Sequence, residues 1–272
     1  ISALNEDVGD GDYSTLSCID ENAKGKAVLK IKENAILSGV SVAESIFKFV
    51  QSDVEFTSFK KDGEEVNSGE IAFEIEAKIH TILKCERLVL NTMQRMSGIS
   101  TLTKIYTKKL QGYHTQLLDT RKTTPNFRFL EKEAVRIGGG INHRFGLYDM
   151  IMLKDNHIDY CGSIENAIES AYNYVTKNKL NLKIEVETRN LIDVEKVISV
   201  GKVDRIMLDN FQPDEIIKAL KLINGKYETE ASGGINLDNI EAYAKTGVDF
   251  VSCGAIIHQA KSIDLSLKAS FL

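Results

Sequence analysis

The second half of the chain alternates short apolar segments with helical patterns, and this alternation limits the possible folds more than any other feature. Six apolar segments are predicted strands: residues 116–118, 150–153, 184–187, 205–208, 227–231 and 250–253. Most of the intervals between them have the apolar spacing of helices: residues 164–175, 191–200, 213–223 and 237–244. Strands joined by crossover helices form right-handed units of a parallel sheet. Because the usual α/β barrel has eight strands, six strands predict a reduced or partly open parallel barrel.

The first part of the chain has a different pattern, which predicts a small and mostly antiparallel sheet with one helix. Its strand candidates are residues 27–32, 35–39, 54–56 and 71–77, and its helix candidate covers residues 42–50. Two further helices, over residues 83–96 and 99–110, are expected to connect this region to the barrel. We expect two helices because Ser97 and Gly98 interrupt the helical pattern.

Composition excludes several classes of protein. With 272 residues, of which 43% are hydrophobic, the chain can bury a substantial core. It has no apolar run of about 18 residues, so we expect no membrane span. A pI near 5.7 argues against a nucleic-acid ligand. The four cysteines are far apart and form no CxxC motif, which favours reduced thiols and a cytoplasmic setting.

One stretch of the chain is basic although the whole chain is acidic. Residues 121–154 contain seven Arg or Lys and three Asp or Glu, whereas the formal net charge of the chain is −5. Thr, Gly, Asn and His lie beside several of these cations, and such residues readily approach or hydrogen-bond a ligand. The stretch is therefore predicted to bind a small anion.

Every predicted barrel strand is followed by polar, charged or glycine residues. In α/β barrels the reactive groups lie just beyond the carboxyl ends of the strands. Ser232, Gly233 and Gly234 follow the fifth strand, and Gly254 follows the sixth. Backbone N–H groups exposed by glycines after the last two strands can hold a phosphate. A Ser-Gly-Gly segment taken alone is more typical of a plain tight turn, but the two glycine loops together, after the last two strands, predict a phosphate site.

Two acidic residues, Glu187 and Asp209, end neighbouring strands of the predicted sheet. Their carboxylates could share one Mg²⁺ ion, which prefers one or two protein carboxylates together with substrate oxygens. Alternatively, each could cap the helix that follows it. A cation that faces a phosphate site favours the first interpretation.

Arg121, Lys122, His143, Arg144 and Lys154 are predicted to form a cationic cluster near the first two strand ends. An Arg binds a carboxylate through two parallel hydrogen bonds, and several cations together can hold a dicarboxylate. Two alternatives stay open at this point. Lys154 could be a Schiff-base amine, because close cations favour the neutral form of a lysine. His143 could be a general base.

Taken together, these residues resemble the quinolinate phosphoribosyltransferase family, the carboxylating enzymes of de novo NAD synthesis. The motifs that carry the resemblance are residues 6–12, 86–87 with 91, 97–101, 119–123, 138–140 with 142–144, 153–157, 185–187, 208–210, 232–235 and 252–256. They occur in the expected order and span nearly the whole chain. The most specific are Asp-Thr-Arg-Lys-Thr, Asn-His-Arg and Leu-Lys-Asp-Asn-His.

The resemblance implies a particular organisation of the subunit. Residues 1–98 would form an open-faced α/β sandwich to which residues 259–272 return, and residues 99–258 would form the catalytic α/β barrel. It also implies a homodimer, or a multiple of dimers, in which Arg87 reaches the active site of the partner subunit.

The resemblance also assigns roles to the site residues. Arg121, His143, Arg144 and Lys154, with Arg87 from the neighbour, would bind the two carboxylates of quinolinate. Lys122 and the loops with Ser232, Gly233, Gly234, Gly254 and His258 would face phosphoribosyl pyrophosphate. Glu187 and Asp209 would hold Mg²⁺, and Lys122, Lys154, Glu187 and Asp209 would be the catalytic residues.

The implied reaction is phosphoribosyl transfer to quinolinate with decarboxylation, which gives nicotinate mononucleotide, pyrophosphate and CO₂. Three other functions remain open. They are a paralogue of the family with a different substrate, a Schiff-base aldolase or lyase that uses Lys154, and a phosphosugar sensor without catalysis.

Overall fold

A computed structural model describes residues 1–270 of the chain, which divides into two compact units. The first unit contains Ile1–Lys104, Phe129–Gly139 and the chain from Gln259 onward. The second contains Ile105–Arg128 and Gly140–His258. Of the segment predicted to return to the first domain, residues 259–272, the last two lie outside the described residues.

Residues 1–270 form both helices and strands in each of the two units. The helices are α1 (Ser2–Val8), α2 (Tyr13–Cys18), α3 (Val40–Val50), α4 (Ile79–Lys109), α5 (Arg128–Ile137), α6 (Asp155–Cys161), α7 (Ile164–Lys177), α8 (Leu191–Val200), α9 (Pro213–Ile223), α10 (Ile240–Ala244) and α11 (Ala255–His258). The strands are β1 (Lys24–Ile31), β2 (Ala35–Ile36), β3 (Glu55–Ser58), β4 (Glu65–Val66), β5 (Ile71–Lys78), β6 (Gln116–Leu118), β7 (Ile151–Leu153), β8 (Ile184–Thr188), β9 (Arg205–Asp209), β10 (Glu228–Ser232), β11 (Phe250–Ser252) and β12 (Leu265–Ser270). Across this described part of the chain, every helix is too short or too polar to span a lipid bilayer.

The first unit is built on an antiparallel sheet with the order β12-β1-β5-β3. Three aromatic rings pack together in this unit, with Phe56 and Phe73 4.5 Å apart between centroids and Phe47 6.3 Å from each. Phe47 and Phe73 are fully buried, and each buried side chain of this size contributes roughly 1.5–3 kcal/mol. The predicted antiparallel sheet is confirmed, and β12 adds a strand that periodicity did not predict.

The predicted break between two connecting helices is wrong, because α4 continues without interruption through Ser97 and Gly98. Both residues are small because other backbone segments approach the helix there. The Ser97 hydroxyl accepts a hydrogen bond from the Ser38 N–H at 2.9 Å and donates to the Ser38 carbonyl at 3.2 Å. A Cβ on Gly98 would overlap the carbonyl oxygen of Lys261. Here glycine permits close packing and does not end the helix.

Arg95 connects three separate segments within the first unit. Its Nε and a terminal nitrogen donate to Glu131 Oε1 at 2.9 and 2.8 Å, and its other terminal nitrogen donates to the Ala260 carbonyl at 2.9 Å. Glu131 is fully buried, so this two-pronged ion pair compensates the burial of its charge. The segment that follows the barrel is thereby held against α4.

The second unit is a parallel sheet with the order β6-β11-β10-β9-β8-β7. All six predicted strands are present, and α7, α8, α9 and α10 are the predicted crossover helices. Within residues 1–270 no strand pair joins β6 to β7, so the sheet keeps two edges, as expected for a partly open barrel. Parallel strands place all their carboxyl ends at one side of the sheet, which brings the loops that leave them together.

Asp249 connects strands at the opposite, amino-terminal side of this sheet. The Thr229 N–H and hydroxyl donate to Asp249 Oδ2 at 2.8 and 2.6 Å, and His114 Nε2 lies 2.9 Å from Oδ1. Burial opposes ionisation of this carboxyl. The hydrogen bonds from Thr229 and His114 outweigh burial and hold the pKa of Asp249 below its ordinary value.

We therefore expect Asp249 to make stability depend on acidity. Because the folded pKa is lowered, the stabilisation is complete above the unfolded pKa of about 3.9 and is lost as the pH falls through the folded pKa. Asp249→Asn should lower the free energy of unfolding at pH 7 by roughly 1–2 kcal/mol and flatten its dependence on pH below 4. Urea unfolding at a series of pH values measures both effects, with exposed Asp214→Asn as control. Equal acid sensitivity of Asp249→Asn and the unmodified protein would contradict the assignment.

Candidate active site

The carboxyl ends of β7, β8, β9 and β10, which are neighbours in the sheet, bring acidic and cationic side chains together. Glu187 is the fourth residue of β8, Asp209 is the last residue of β9, and Lys154 directly follows β7. Lys154 Nζ donates to Glu187 Oε2 at 2.9 Å, and the Glu187 side chain is only 8% exposed. Asp209 is paired in register with Ser232 on β10. Four residues predicted from the strand ends thus lie together at the carboxyl ends of the parallel strands.

The electrostatic state of Asp209 shows that a positive charge is favoured beside it. Burial, and then the negative charge of Glu187, raise the pKa of Asp209 above its ordinary value. Lys154, Ser232 and Asn210 oppose this shift, and Asn210 Nδ2 donates to Asp209 Oδ2 at 2.6 Å. A further cation between the two carboxylates would stabilise their charged forms.

The glycine loops bring open backbone close to the side chains of Lys122 and His258. A Cβ built on Gly254 would lie 3.0 Å from Lys122 Cδ and 3.3 Å from His258 Cδ2 and Nε2. On the neighbouring loop, Gly233 has φ 94° and its Cβ would overlap the Asn210 side chain. Gly233 therefore excludes any other residue, and the backbone of Gly254 lies close to the side chains of Lys122 and His258. This is suitable for binding a phosphate.

Arg121, which follows β6, and Arg144, which precedes β7, have guanidinium groups close to each other. Burial, and then the charge of Arg121, lower the pKa of Arg144. Arg121 Nε is buried and has no hydrogen-bond partner in the described part of the chain. Arg144 donates from one terminal nitrogen to the Met150 carbonyl at 3.2 Å. Two neighbouring cations, one of them with an unsatisfied donor, are arranged for an anionic ligand with more than one oxygen.

Arg128 connects the loops that carry these two arginines, a role that the sequence did not indicate. Its Nε donates to the Thr123 hydroxyl at 2.9 Å, and a terminal nitrogen donates to the Phe145 carbonyl at 2.9 Å. Its guanidinium also lies 5.9 Å from the centre of the Phe145 ring. This side chain therefore helps to fix the relative position of the two loops.

The structure places His143 differently from the other members of the predicted cationic cluster. Its ring points into the sheet interior, where Nε2 lies 3.0 Å from Glu185 Oε2 and 3.2 Å from Glu230 Oε2. Burial opposes a charged ring, but the two glutamates outweigh it and raise the pKa of His143 to about 9. In the neutral ring, Nδ1 accepts the Arg144 N–H at 2.6 Å and Nε2 holds the proton towards the glutamates. Nδ1 thus faces the Arg144 backbone, and Nε2 lies at ion-pair distance from the two glutamates.

Comparison with known proteins decides the family. The model of the quinolinate phosphoribosyl transferase N-terminal domain matches residues 12–97, and that of the C-terminal domain matches residues 99–268. The chain belongs to the quinolinate phosphoribosyltransferase family. The resemblance inferred from the sequence motifs is confirmed.

Relatives of the family are similar over almost the whole chain. Quinolinate phosphoribosyltransferase [decarboxylating] 1b of Nicotiana tabacum is 40% identical, over 98% of this chain and 80% of the relative. The probable nicotinate-nucleotide pyrophosphorylase [carboxylating] of Bacillus subtilis (strain 168) is 40% identical, over 96% of this chain and 89% of its own length. The crystal structure of NadC from Streptococcus pyogenes has 40% identity and a TM-score of 0.92, covering 100% of this chain and 95% of that chain.

The donor set of this quinolinate phosphoribosyltransferase family member fits a hard divalent cation at Glu187 and Asp209. The two carboxylates come from neighbouring strands, and burial, then the charge of Glu187, raise the pKa of Asp209, so a cation with further positions for substrate oxygens suits them. Ligating atoms of His143, Glu185 and Glu230 also lie within 4.8 Å of one another. That second group already contains a cation, because an Arg205 terminal nitrogen lies 3.0 Å from Glu230 Oε2.

The structure places most of the predicted site residues in three groups, and their roles stay predictions. The structure brings together Lys122, Gly254 and His258, then Lys154, Glu187, Asp209 and Ser232, and finally Arg121 and Arg144. Gly234 follows Gly233 with φ 62°. Arg87 is an exposed residue of α4 in the first unit. The residues that sequence reasoning missed are Arg128, Glu185, Arg205 and Glu230.

Proposed function

We propose that this protein transfers the phosphoribosyl group of phosphoribosyl pyrophosphate to quinolinate, with release of pyrophosphate and CO₂ and formation of nicotinate mononucleotide. The observation that carries the proposal is the pairing of Arg121 with Arg144, which the structure holds close together although their charges repel. Such a pair matches the adjacent carboxylates of a pyridine dicarboxylate. The glycine loops with Lys122 and His258, and the carboxylates of Glu187 and Asp209, lie at the carboxyl ends of the strands. They match the phosphates of phosphoribosyl pyrophosphate and the metal that accompanies them.

Quinolinate is oriented by the cations of the early loops. Arg121 and Arg144 bind its carboxylates, and Lys154 reaches them from the end of β7. Arg87 of a partner subunit completes the pocket, and this protein is proposed to be a homodimer or a multiple of dimers with shared active sites. His143 supports the pocket from behind, since both of its ring nitrogens face protein atoms. Positioning of the pyridine nitrogen towards the ribose is the principal result of these contacts.

The phosphoribosyl substrate is held by the late loops and by Lys122. Backbone N–H groups of the loops with Ser232, Gly233, Gly234 and Gly254, together with His258 and Lys122, bind its phosphates. Glu187 and Asp209 would hold Mg²⁺, which would supply positive charge to neutralise the leaving pyrophosphate. Lys154 remains beside Glu187 and adds a positive charge on the same side.

The reaction itself needs positioning and electrostatics and no protein nucleophile. The pyridine nitrogen forms a bond to C1 of the ribose while the bond from C1 to the pyrophosphate oxygen breaks. The ribosylated ring then loses its 2-carboxyl as CO₂, and the electron pair left at C2 takes up a proton. Cations around the carboxylates fix the ring, and fixed charges that act in a partly dry site supply most of the rate acceleration.

Purified protein mixed with quinolinate, phosphoribosyl pyrophosphate and Mg²⁺ should release CO₂ and form nicotinate mononucleotide. Omission of any one of the three should abolish release, because the metal and both substrates form one site. Trapped CO₂ and chromatographic detection of the nucleotide measure the reaction. Failure to turn over with all three present would refute the proposed function. Binding of phosphoribosyl pyrophosphate without turnover would favour a phosphosugar sensor, and turnover of another acceptor alone would favour a diverged paralogue.

The structure gives a reason to prefer this reaction to Schiff-base chemistry at Lys154. Its ammonium is ion-paired with Glu187 at 2.9 Å, and a protonated amine has no lone pair for attack on a carbonyl. Treatment with borohydride in the presence of carbonyl substrates should therefore trap no covalent adduct.

All four cysteines are free thiols, which supports a reducing compartment such as the cytoplasm.

A further inference from the structure

We propose that Glu185 and Glu230, buried inside the barrel sheet, are positioning residues that set the affinity for the dicarboxylate substrate by holding His143 and, through it, Arg144. This inference rests on the proposed function. Neither glutamate follows a strand end, and neither lies among the residues predicted to touch a substrate.

The two glutamates form a charged layer where an apolar core would be expected. Both are fully buried, on β8 and β10, and Arg205 on the strand between them lies 3.0 Å from Glu230. The Arg205 guanidinium also lies 4.2 Å above the Phe250 ring. His143 Nε2 lies 3.0 Å from Glu185 and 3.2 Å from Glu230, so the histidine ring and Arg205 are the two basic groups placed beside these buried acids.

Stability alone does not explain this layer. Glu185 Oε1 is buried and has no hydrogen-bond partner in the described part of the chain. A buried carboxylate with an unsatisfied oxygen destabilises a fold, and apolar residues of similar size would pack without that cost. The arrangement therefore points to a task that apolar residues cannot perform, and the nearest such task is to hold His143.

His143 connects the buried layer to the substrate loops through its other hydrogen bonds. Its backbone N–H donates to Asp119 Oδ1 at 2.8 Å. Asp119 directly follows β6 and precedes Arg121 by two residues. The His143 ring Nδ1 accepts from the Arg144 N–H at 2.6 Å. If the ring rotated away from the glutamates, the Arg144 backbone would lose this acceptor and the guanidinium would lose its fixed direction.

The test is a comparison of Michaelis constants for the two substrates in Glu185→Gln and Glu230→Gln. We expect each substitution to raise the KM for quinolinate by roughly 10–100-fold, since small displacements of a binding group have effects of this size. The KM for phosphoribosyl pyrophosphate should stay within about twofold, because the contacts of His143 described above are with Glu185, Glu230, Asp119 and Arg144, and none of these is a proposed phosphate-binding residue. Glu228→Gln is the matched control. Glu228 is on β10, as Glu230 is, and it also accepts a hydrogen bond from Arg205 at 3.0 Å, but its side chain is 39% exposed.

Several outcomes would overturn the inference. Equal increases of both KM values, or a lowered melting temperature with unchanged KM values, would show that the layer is merely structural. If the glutamine variants do not fold, His143→Asn, which removes the contact with the glutamates, must reproduce the selective rise in quinolinate KM. A normal quinolinate KM in that folded variant would equally overturn it. An unmodified enzyme that does not turn over quinolinate would refute the proposed function itself, and this inference with it.

Discussion

Replacement of Asp209 by Asn should lower the kcat of phosphoribosyl transfer by roughly 10²–10³-fold, the usual effect of removing one preorganised electrostatic group. Asn has nearly the same shape as Asp, so β9 and its loop should keep their conformation. It has no negative charge, however, and Mg²⁺ would lose one of two carboxylates proposed to hold it. Initial rates measured over a range of Mg²⁺ concentrations should show both a lower maximum and a higher Mg²⁺ requirement.

The control for Asp209→Asn is Asp214→Asn, which removes an exposed carboxyl from the first turn of α9 just beyond the same loop. It should leave both the rate and the Mg²⁺ requirement unchanged. An Asp209→Asn enzyme that keeps a normal Mg²⁺ requirement would show that Asp209 does not hold the metal, and that Glu187 and Asp209 serve another purpose.

Replacement of Arg144 by Ala should lower kcat/KM for quinolinate by roughly 10–150-fold, because a charge-assisted hydrogen bond contributes about 1.5–3 kcal/mol. Arg121→Ala should have an effect of similar size. The melting temperature should not fall in Arg144→Ala, since the substitution also removes repulsion between the two guanidinium groups. Steady-state kinetics with each substrate varied in turn, together with thermal unfolding, test these expectations.

Arg189→Ala is a suitable control for the arginine variants, because Arg189 is in the same unit and pairs with Asp159 on the surface at 2.9 Å. It should alter neither Michaelis constant. Near-normal quinolinate kinetics in both Arg121→Ala and Arg144→Ala would refute the dicarboxylate pocket. Lys should not replace Arg144 fully, since an ammonium cannot form the two parallel bonds of a guanidinium.

The architecture of the second unit was readable from the sequence because two simple rules apply to it. Strands and crossover helices have different apolar periods, and parallel strands expose their carboxyl ends at one side. Glu187, Asp209 and Ser232 were found by this rule alone. The continuity of α4 could not be found, because the reason for Gly98 is the approach of Lys261, more than 160 residues away along the chain.

The interior of the sheet was the main feature that sequence reasoning overlooked. A signal was present, because side chains two positions apart on a strand share one face. Glu185 precedes Glu187 by two residues, Glu230 precedes Ser232 by two, and Arg205 is at the start of the strand that ends in Asp209. These alternations place charged side chains beneath the site. The direction of the His143 ring was not accessible, since a histidine beside an arginine is equally compatible with an outward position.

The central claim is tested most directly by quinolinate labelled with ¹³C in one carboxyl at a time. With phosphoribosyl pyrophosphate and Mg²⁺, label in the 2-carboxyl should appear entirely as CO₂, and label in the 3-carboxyl should remain in the nucleotide. One pyrophosphate should be released for each CO₂. A nucleotide that keeps both carboxyls, CO₂ derived from the 3-carboxyl, or no reaction at all would contradict this account.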